Sequence, residues 1–316
     1  MLDSFSIAVV IPAYKVTNHL EQVIITVPDF IDHIIVVDDK CPIESGNIAT
    51  RLKDNNSKIY TVFHTENMGV GGAVLSGYEK AAEFNVDFIV KMDGDGQMDP
   101  DYLKPLLQPL LNGKADYTKG NRFTDRELLR SMPKVRLIGN SLLSFILKLC
   151  SGYWNVMDPT NGYTAIRTET ASKLNRKSVS KRYFFESDML VHLNIQNAVV
   201  KDVPMTAIYG DEESSLNVGN ILRKFPLLLI KRFLKRIFLK YYVYDFNMAS
   251  VYILLGVPLF LFGVFFGSVK WIQSVAQNEV ATTGTVMLSV LPIILGIQFI
   301  LQAIQIDINA VPTKKG

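Results

Sequence analysis

The chain predicts an α/β fold, an open and mostly parallel sheet in its first two thirds, followed by a C-terminal region suited to a membrane. Three observations predict it. Short apolar runs alternate with helix-patterned stretches four times between Ser6 and Val90, as expected of a parallel sheet with helices on both faces. Polar clusters follow the ends of these runs, where open sheets of this kind bind ligands. Beyond Phe246 the 316-residue sequence is almost purely apolar.

The elements follow in order. Ser6 to Ile11 is a continuous apolar run suited to a strand covered on both faces, and Pro12-Ala13-Tyr14 ends it. A helix follows from Thr17 or Asn18, either of which can cap it, to about Val27, and Pro28 breaks the pattern. His33 to Val37 reads as the second strand and stops at Asp38-Asp39. A helix near Ile43 to Asp54 and a third strand over Lys58 to His64 come next. Asn67-Met68-Gly69-Val70-Gly71-Gly72 opens a further helix that reaches about Glu83, and Val86 to Val90 is the fourth strand.

That fourth strand runs into Lys91-Met92-Asp93-Gly94-Asp95-Gly96-Gln97-Met98-Asp99-Pro100. In an extended segment, residues i and i+2 point the same way. Asp93 and Asp95 can therefore face one hard cation, with Gln97 adding an amide oxygen. Mg²⁺ takes oxygen ligands and commonly sits between one or two carboxylates and a substrate's phosphates. Glycines between the carboxylates leave room for a large anion to approach the backbone. An isolated pair of this kind is more often an acidic turn; its place after a strand, among the other polar clusters, favours the metal reading.

Several classes are excluded. The glycine cluster puts Val74 where a dinucleotide fingerprint needs its third glycine or alanine, and no acidic residue follows at the required distance, which argues against an oxidoreductase. The glycines instead let the helix pack closely on the sheet and leave room for a nucleotide. Cys41 and Cys150 have neither disulfide-framework nor zinc-site spacing. His19, His33, His64 and His192 are scattered and read as structural. The N-terminal residues lack the pattern of a signal peptide. No nucleic-acid partner is expected of a chain with net charge +3.

The ordered set V-V-I-P-A-Y, I-I-V-V-D-D, N-M-G-V-G-G-A and K-M-D-G-D-G-Q-M-D-P resembles family 2 glycosyltransferases with a GT-A fold. Its spacing is most similar to that of the polyprenyl-phosphate sugar transferases, the group that includes dolichol-phosphate mannose synthase. The similarity continues through Gly120-Asn121-Arg122, Arg136 and Asp158-Pro-Thr-Asn-Gly-Tyr163, and spans roughly residues 6 to 217. It implies a nucleotide-sugar donor lined by Pro12, Ala13, Tyr14, Val37, Asp39, Asn67, Gly72, Met92, Asp93 and Gly94, with Pro12, Tyr14 and Asp39 on its base and ribose. It implies a divalent metal, Mg²⁺ or Mn²⁺, held by Asp93, Asp95 and Gln97 against the diphosphate. Arg122 and Arg136 would bind phosphate of donor or acceptor, because an arginine fork matches phosphate oxygens and keeps its charge. Arg126 and Arg130 are nearby alternatives.

Two positions depart from the family pattern. Where many members read P-x-Y-N-E, this chain has Lys15 and Val16 after Tyr14. Where many carry an arginine before a Tyr-Gly-Glu-Ser-like run, Ala207-Ile208 precede Tyr209-Gly210-Asp211-Glu212-Glu213-Ser214-Ser215. Arg223 or Lys224 could supply that phosphate contact. Glu186 and Asp188 fall where sugar-transferring relatives place a carboxylate near the acceptor. They read either as acceptor-side residues or as an acidic helix start. A phosphate acceptor is already ionised near neutral pH and needs no strong general base.

Phe246 to Val269 and Val280 to Ile306 carry no formal charge, and each exceeds the roughly 20 residues that cross a bilayer core. Pro258 and Pro292 are tolerable in spanning helices. Between Gly219 and Tyr244 there are seven Lys/Arg and no Asp/Glu, and Lys314-Lys315 follow the second run. The positive-inside rule then puts both termini and the catalytic domain in the cytoplasm. Leu222 to Tyr242 reads as an interfacial amphipathic helix, with Phe225, Leu229, Phe233, Ile237 and Tyr241, beside Pro226, Ile230, Leu234 and Phe238, forming an apolar stripe in the headgroup boundary. Lys224, Lys231, Arg232, Lys235 and Arg236 would face anionic headgroups.

The expected organisation is a GT-A glycosyltransferase domain over 1–218, a juxtamembrane amphipathic helix over 219–245, and a transmembrane hairpin with a basic tail over 246–316. The expected activity is inverting transfer of a hexose from a nucleotide-diphosphate sugar to a polyprenyl phosphate of undecaprenyl or dolichyl type. UDP-sugars are favoured and GDP-mannose stays open. Self-association into a homo-oligomer is compatible with a membrane hairpin. A processive polysaccharide synthase would need more spans and a Q-x-x-R-W motif, neither of which occurs. A non-catalytic nucleotide-sugar binding or assembly factor is the remaining alternative, which the intact Asp93/Asp95/Gln97 set argues against.

Overall fold

Seven strands form one sheet in a computed structural model of the chain, which describes residues 4–124, 134–206 and 218–314. They are β1 (Ile7–Ala13), β2 (His33–Asp38), β3 (Ile59–Phe63), β4 (Phe88–Lys91), β5 (Tyr117–Asn121), β6 (Thr164–Arg167) and β7 (Val200–Pro204), in the order β3-β2-β1-β4-β6-β5-β7. The first four are mutually parallel, as their apolar runs predict. β6 runs antiparallel to both β4 and β5, and β7 is parallel to β5. β1 is central, and Ile7 through Ile11 are fully buried.

The sequence reading stops at the fourth strand for a physical reason. β5 is Tyr-Thr-Lys-Gly-Asn, and its Thr118 and Lys119 are as buried as any core residue. No apolar run announces a strand whose interior positions are polar. Instead each polar group is satisfied locally: the Thr118 hydroxyl donates to the Leu106 carbonyl at 2.7 Å, and the Lys119 ammonium donates to the Asn161 carbonyl.

The helices of this region are α1 (Thr17–Ile25), α2 (Gly46–Lys53), α3 (Val70–Glu83), α4 (Leu103–Leu111), α5 (Lys134–Ser151), α6 (Thr168–Ser172), α7 (Phe185–Ile195) and α8 (Val218–Phe238). Two starts differ from expectation. Neither Thr17 nor Asn18 caps α1; Val16 occupies the cap without a side-chain hydrogen bond. The second helix begins at Gly46 rather than Ile43. The Asp38 carboxylate first accepts from the backbone N–H of Cys41 and of Gly46, each at 2.7 Å, and so curls the intervening residues into a loop.

α3 lies directly on β1, and Gly77 is the point of closest approach. A Cβ there would overlap the Val10 side chain. Gly77→Val should therefore destabilise the fold by about 1–3 kcal/mol, the usual cost of overpacking, visible as a lower midpoint in denaturant.

Compactness divides the chain into Met1–Phe233 with Pro312–Gly316, and Leu234–Val311. The second unit holds the end of α8, a π-helical turn (Leu239–Tyr244), α9 (Met248–Gln277) and α10 (Thr283–Asn309). Both α9 and α10 are long and apolar enough to cross a membrane. They pack as a close pair: a Cβ on Gly256 would stand 2.9 Å from Phe299 Cβ, and one on Gly296 2.6 Å from the Phe260 nitrogen. Small residues at such contacts let two backbones approach in a lipid environment, where apolar burial gives no drive. Asn247 and Ser250 form a capping box at the start of α9, with Ala249 N donating to Asn247 Oδ1 at 2.9 Å and Asn247 N to Ser250 Oγ at 3.0 Å.

The reading of α8 needs correction. Phe225, Leu229 and Phe233, expected against lipid, pack on Leu147 and Cys150 of α5 and on Phe184 and Val191. The other row of the expected stripe, Ile230, Leu234 and Phe238, is exposed, with Leu227 beside it. Two of the expected headgroup-facing cations turn inward. Arg232 Nε lies 2.7 Å from Asp188 Oδ1, and Arg236 grips Asp307 with Nη1 at 2.7 Å and Nη2 at 3.0 Å. A helical wheel cannot reveal this, because each arginine's partner is remote in sequence.

Candidate active site

A cavity of about 860 Å³ opens at the carboxyl edge of β4. Its lining combines polar side chains, Asp93, Asp95, Gln97, Arg122 and Glu186, with apolar ones, among them Leu142, Leu143 and Ile146 of α5 and Phe225, Leu229 and Ile230 of α8. The strand ends, and the carboxylates emerge from it. The Asp95 Oδ1 atom accepts from the Gln97 backbone N–H at 3.0 Å, which folds the loop so that Asp93, Asp95 and Gln97 share the cavity wall.

Lys91, the last residue of β4, sits behind this wall. Its Nζ is 2.7 Å from Asp93 Oδ1 and 3.6 Å from Glu186 Oε1. Burial opposes its charge, but Asp93 and Glu186 together outweigh that effect and hold its pKa above the ordinary lysine value. Arg122 is set by Asp158: Nε donates to Oδ2 at 2.7 Å and Nη2 to Oδ1 at 3.1 Å. Asp158 is fully buried, so this fork fixes the guanidinium at the cavity wall. Thr160 Oγ donates to the same carboxylate at 3.2 Å.

Residues 8–174, more than half of the chain, match the glycosyl transferase family 2 domain. The chain belongs to glycosyl transferase family 2. This glycosyltransferase is 30 % identical over 218 residues to the UDP-N-acetylglucosamine–dolichyl-phosphate N-acetylglucosaminyltransferase of Methanococcus voltae, across 65 % of this chain and 86 % of that protein. It is 29 % identical over 202 residues to the polyprenol monophosphomannose synthase of Mycolicibacterium smegmatis, across 63 % of this chain and 76 % of that one. Its fold is similar to that of glucosyl-3-phosphoglycerate synthase from Mycobacterium tuberculosis, solved with Mn²⁺, UDP-glucose and phosphoglyceric acid. The TM-score is 0.53 at 20 % identity, covering 73 % of this chain and 80 % of the other.

The donor set on the cavity wall fits a hard divalent ion. Asp93, Asp95 and Gln97 offer oxygen, with no thiolate or imidazole among them. Among the described residues no three His, Cys, Asp or Glu side chains gather into a metal cage. Two carboxylates and an amide suit an ion that completes its shell with substrate phosphates and water.

The transferase departs from the sequence reading at several candidate positions. Asp39 was expected on the nucleotide, but its carboxylate is buried and committed. Oδ1 meets His64 Nδ1 and the Met68 N–H at 2.8 Å each, and Oδ2 accepts from Gly69 N at 2.6 Å. It therefore anchors the loop that starts α3. Asn67 braces the same loop, donating to the Asp39 carbonyl at 3.1 Å and accepting from Arg182 at 3.4 Å. Gly72 packs against Met68, whose side chain a Cβ there would overlap; around Gly69 and Gly71 the room is filled by Lys181, Arg182 and Phe185. Met92, Val37 and Ala13 are fully buried core residues. Gly94 packs toward Val16 and Ile11, with a Cβ 3.2–3.3 Å from them, rather than toward the cavity. Asp188 is fully buried beneath Arg232 and the Ser180 N–H, the latter at 2.7 Å, and does not reach the acceptor side.

Pro12 lies half-buried within β1, paired with Val37, and Tyr14 follows the end of the strand, 43 % exposed. The side chain of Arg136 lies outside the described residues, as do Arg126, Arg130, the 209–215 run, and the side chains of Arg223 and Lys224. Lys91 and Asp158 are the site residues that sequence reasoning missed. A lysine closing an otherwise apolar strand was the available signal for the first. For the second it was the aspartate that opens the quoted Asp158-to-Tyr163 motif.

Lys119 lies deeper, and burial lowers its pKa to about 8, with Glu186 and Asp158 opposing the shift. An unfolded lysine keeps its proton to about pH 10.4. Between about pH 8 and 10.4 the unfolded chain thus binds more protons, so this residue makes stability rise with pH across that window. Lys119→Met should remove the rise, up to about 3 kcal/mol, as read from denaturation midpoints at pH 7.5, 9 and 10.

Proposed function

We propose that this glycosyltransferase moves a hexose from a nucleotide-diphosphate sugar to a polyprenyl phosphate at the cytoplasmic face of a membrane, with inversion at the anomeric carbon. One observation carries the reading: a single cavity is lined both by charged side chains that suit a sugar diphosphate and by apolar side chains of α5 and α8 that suit a prenyl chain. A water-soluble hydroxyl acceptor would have no use for the apolar lining. The names of the similar proteins, one with a dolichyl phosphate and one with a polyprenol monophosphomannose, support the acceptor class.

In this reading Asp93, Asp95 and Gln97 would hold a Mg²⁺ or Mn²⁺ ion, which supplies positive charge against the departing diphosphate. Arg122, locked by Asp158, presents a guanidinium to phosphate oxygens, and such preorganised charge is worth most where charge develops in the reaction. Glu186 lines the acceptor side beside Lys91. The acceptor phosphate oxygen is already ionised and attacks the anomeric carbon from the face opposite the nucleotide. The apolar residues of α5 and α8 seat the first part of the prenyl chain and exclude water from the reacting groups.

The exposed faces support the location. Ile138, Leu142 and Phe145 on α5 and Leu227 and Ile230 on α8 leave large apolar groups uncovered around this cavity. The basic excess before α9 and Lys314 after α10 support a cytoplasmic side for both ends of the hairpin. UDP is the favoured carrier of the sugar.

The test is a thin-layer assay of membranes carrying this protein. Labelled UDP-glucose, UDP-N-acetylglucosamine and GDP-mannose are offered in turn with polyprenyl phosphate and Mn²⁺. Label moving with a lipid phosphate from one of them is expected. Label that stays in water-soluble products with every donor would refute the acceptor class.

A further inference from the structure

Lys91 has ladder partners on both sides, Val10 and Thr164, so its backbone is fixed within the sheet. A lysine at the end of a strand ordinarily reaches water. This one is 2 % exposed, with its ammonium lodged between carboxylates from two distant parts of the chain. The contacts are unequal: 2.7 Å to Asp93 is a direct ion pair, and 3.6 Å to Glu186 is a looser one. The wall behind is cut to fit them. A Cβ on Gly162 would collide with Lys91 Nζ and stand 2.9 Å from Asp93 Oδ2. Both carboxylates also face the cavity, one among the metal-clamp residues and one on the acceptor side.

An ion bound by Asp93 and Asp95 would compete with the ammonium for the Asp93 carboxylate, whose Oδ1 the ammonium now holds at 2.7 Å. Two cations cannot share one oxygen at contact distance without strong repulsion. Glu186 is the nearest place for the displaced charge. We propose that Lys91 is a counter-cation that holds Asp93 while the divalent ion is absent and shifts onto Glu186 when the ion binds, coupling the metal clamp to the acceptor-side wall. This rests on the metal-clamp reading given above. Glu186 then contributes to metal affinity without touching the metal, because it receives the displaced ammonium. Filling the clamp also neutralises Glu186, which would otherwise repel an incoming phosphate.

Metal binding without turnover tests this. Free Mn²⁺ is followed by electron paramagnetic resonance, with the full chain in detergent and UDP or GDP but no sugar and no acceptor. Glu186→Gln is expected to weaken Mn²⁺ binding about tenfold, in the range of couplings within one charge network. Lys91→Met is expected to tighten it, and Glu186→Gln made on that background should have little further effect. Lys91→Gln serves in its place if the methionine variant does not fold, as judged by its thermal midpoint. An unchanged Mn²⁺ affinity in Glu186→Gln would overturn the proposal, as would equal weakening in both backgrounds. A wild-type chain that binds no Mn²⁺ would overturn the metal clamp itself, and the proposal with it.

Discussion

Asp95→Asn is expected to lower kcat/KM about a thousandfold, the scale on which removing one preorganised charge-stabilising group acts. The substitution is nearly isosteric. Asparagine keeps an oxygen to accept from the Gln97 N–H, the 3.0 Å bond that shapes the loop, so the cavity wall should hold its form. What is lost is one of the two negative charges offered to a divalent ion. Steady-state kinetics across a Mn²⁺ series should show part of the loss recovered at high metal. The unfolding free energy should stay within about 1 kcal/mol of the parent. Asp93→Asn is a less clean probe, because it also strips the buried Lys91 of its closer partner.

The largest effect on stability is expected from Arg236→Met. Arg236 is fully buried, and its fork on Asp307 is bidentate. The Tyr241 hydroxyl donates to Asp307 Oδ1 at 2.5 Å, and Lys240 Nζ lies 4.0 Å away. These contacts tie the end of α8 and the π-helical turn to the last turns of α10. Removing one partner of such a pair leaves the other charge buried, which costs about 3–5 kcal/mol. The purified full chain in detergent should unfold at a clearly lower temperature. Replacing both partners with apolar residues should recover much of the loss, since well-packed apolar pairs often match a buried ion pair. An unshifted midpoint in Arg236→Met would show that the pair does not hold the hairpin to the helix.

The first half of the sheet was legible because β1, β2 and β4, buried on both faces, must be largely apolar and must end at the ligand edge. Asp93, Asp95 and Gln97 do line one cavity wall, but not through the period-two geometry that singled them out: β4 ends at Lys91, and the turn at Gly94-Asp95, held by the Asp95–Gln97 bond, carries them there. The second half of the sheet was not legible, because Lys119 and Thr118 fill β5 with polar groups whose partners lie in other segments. The same reason hid Lys91 and Asp158, each defined by a contact partner rather than by its own neighbours in sequence. The donor-side residues show the same limit. Asp39, Asn67 and Gly72 stand at the right edge of the sheet, but their polar atoms or their space are taken by the loop before α3. Position at the edge is readable from pattern; the direction a side chain takes from there is not. The cations of α8 show the same limit, since Arg232 and Arg236 match a headgroup-facing stripe and yet turn to Asp188 and Asp307.

The acceptor KM for prenyl phosphates of increasing length tests the account most directly. If the phosphate meets the charged side chains of the cavity and the chain its apolar ones, KM should fall as geranyl, farnesyl and longer phosphates are offered, each added isoprene unit burying further apolar surface. A KM that does not change with chain length would contradict it.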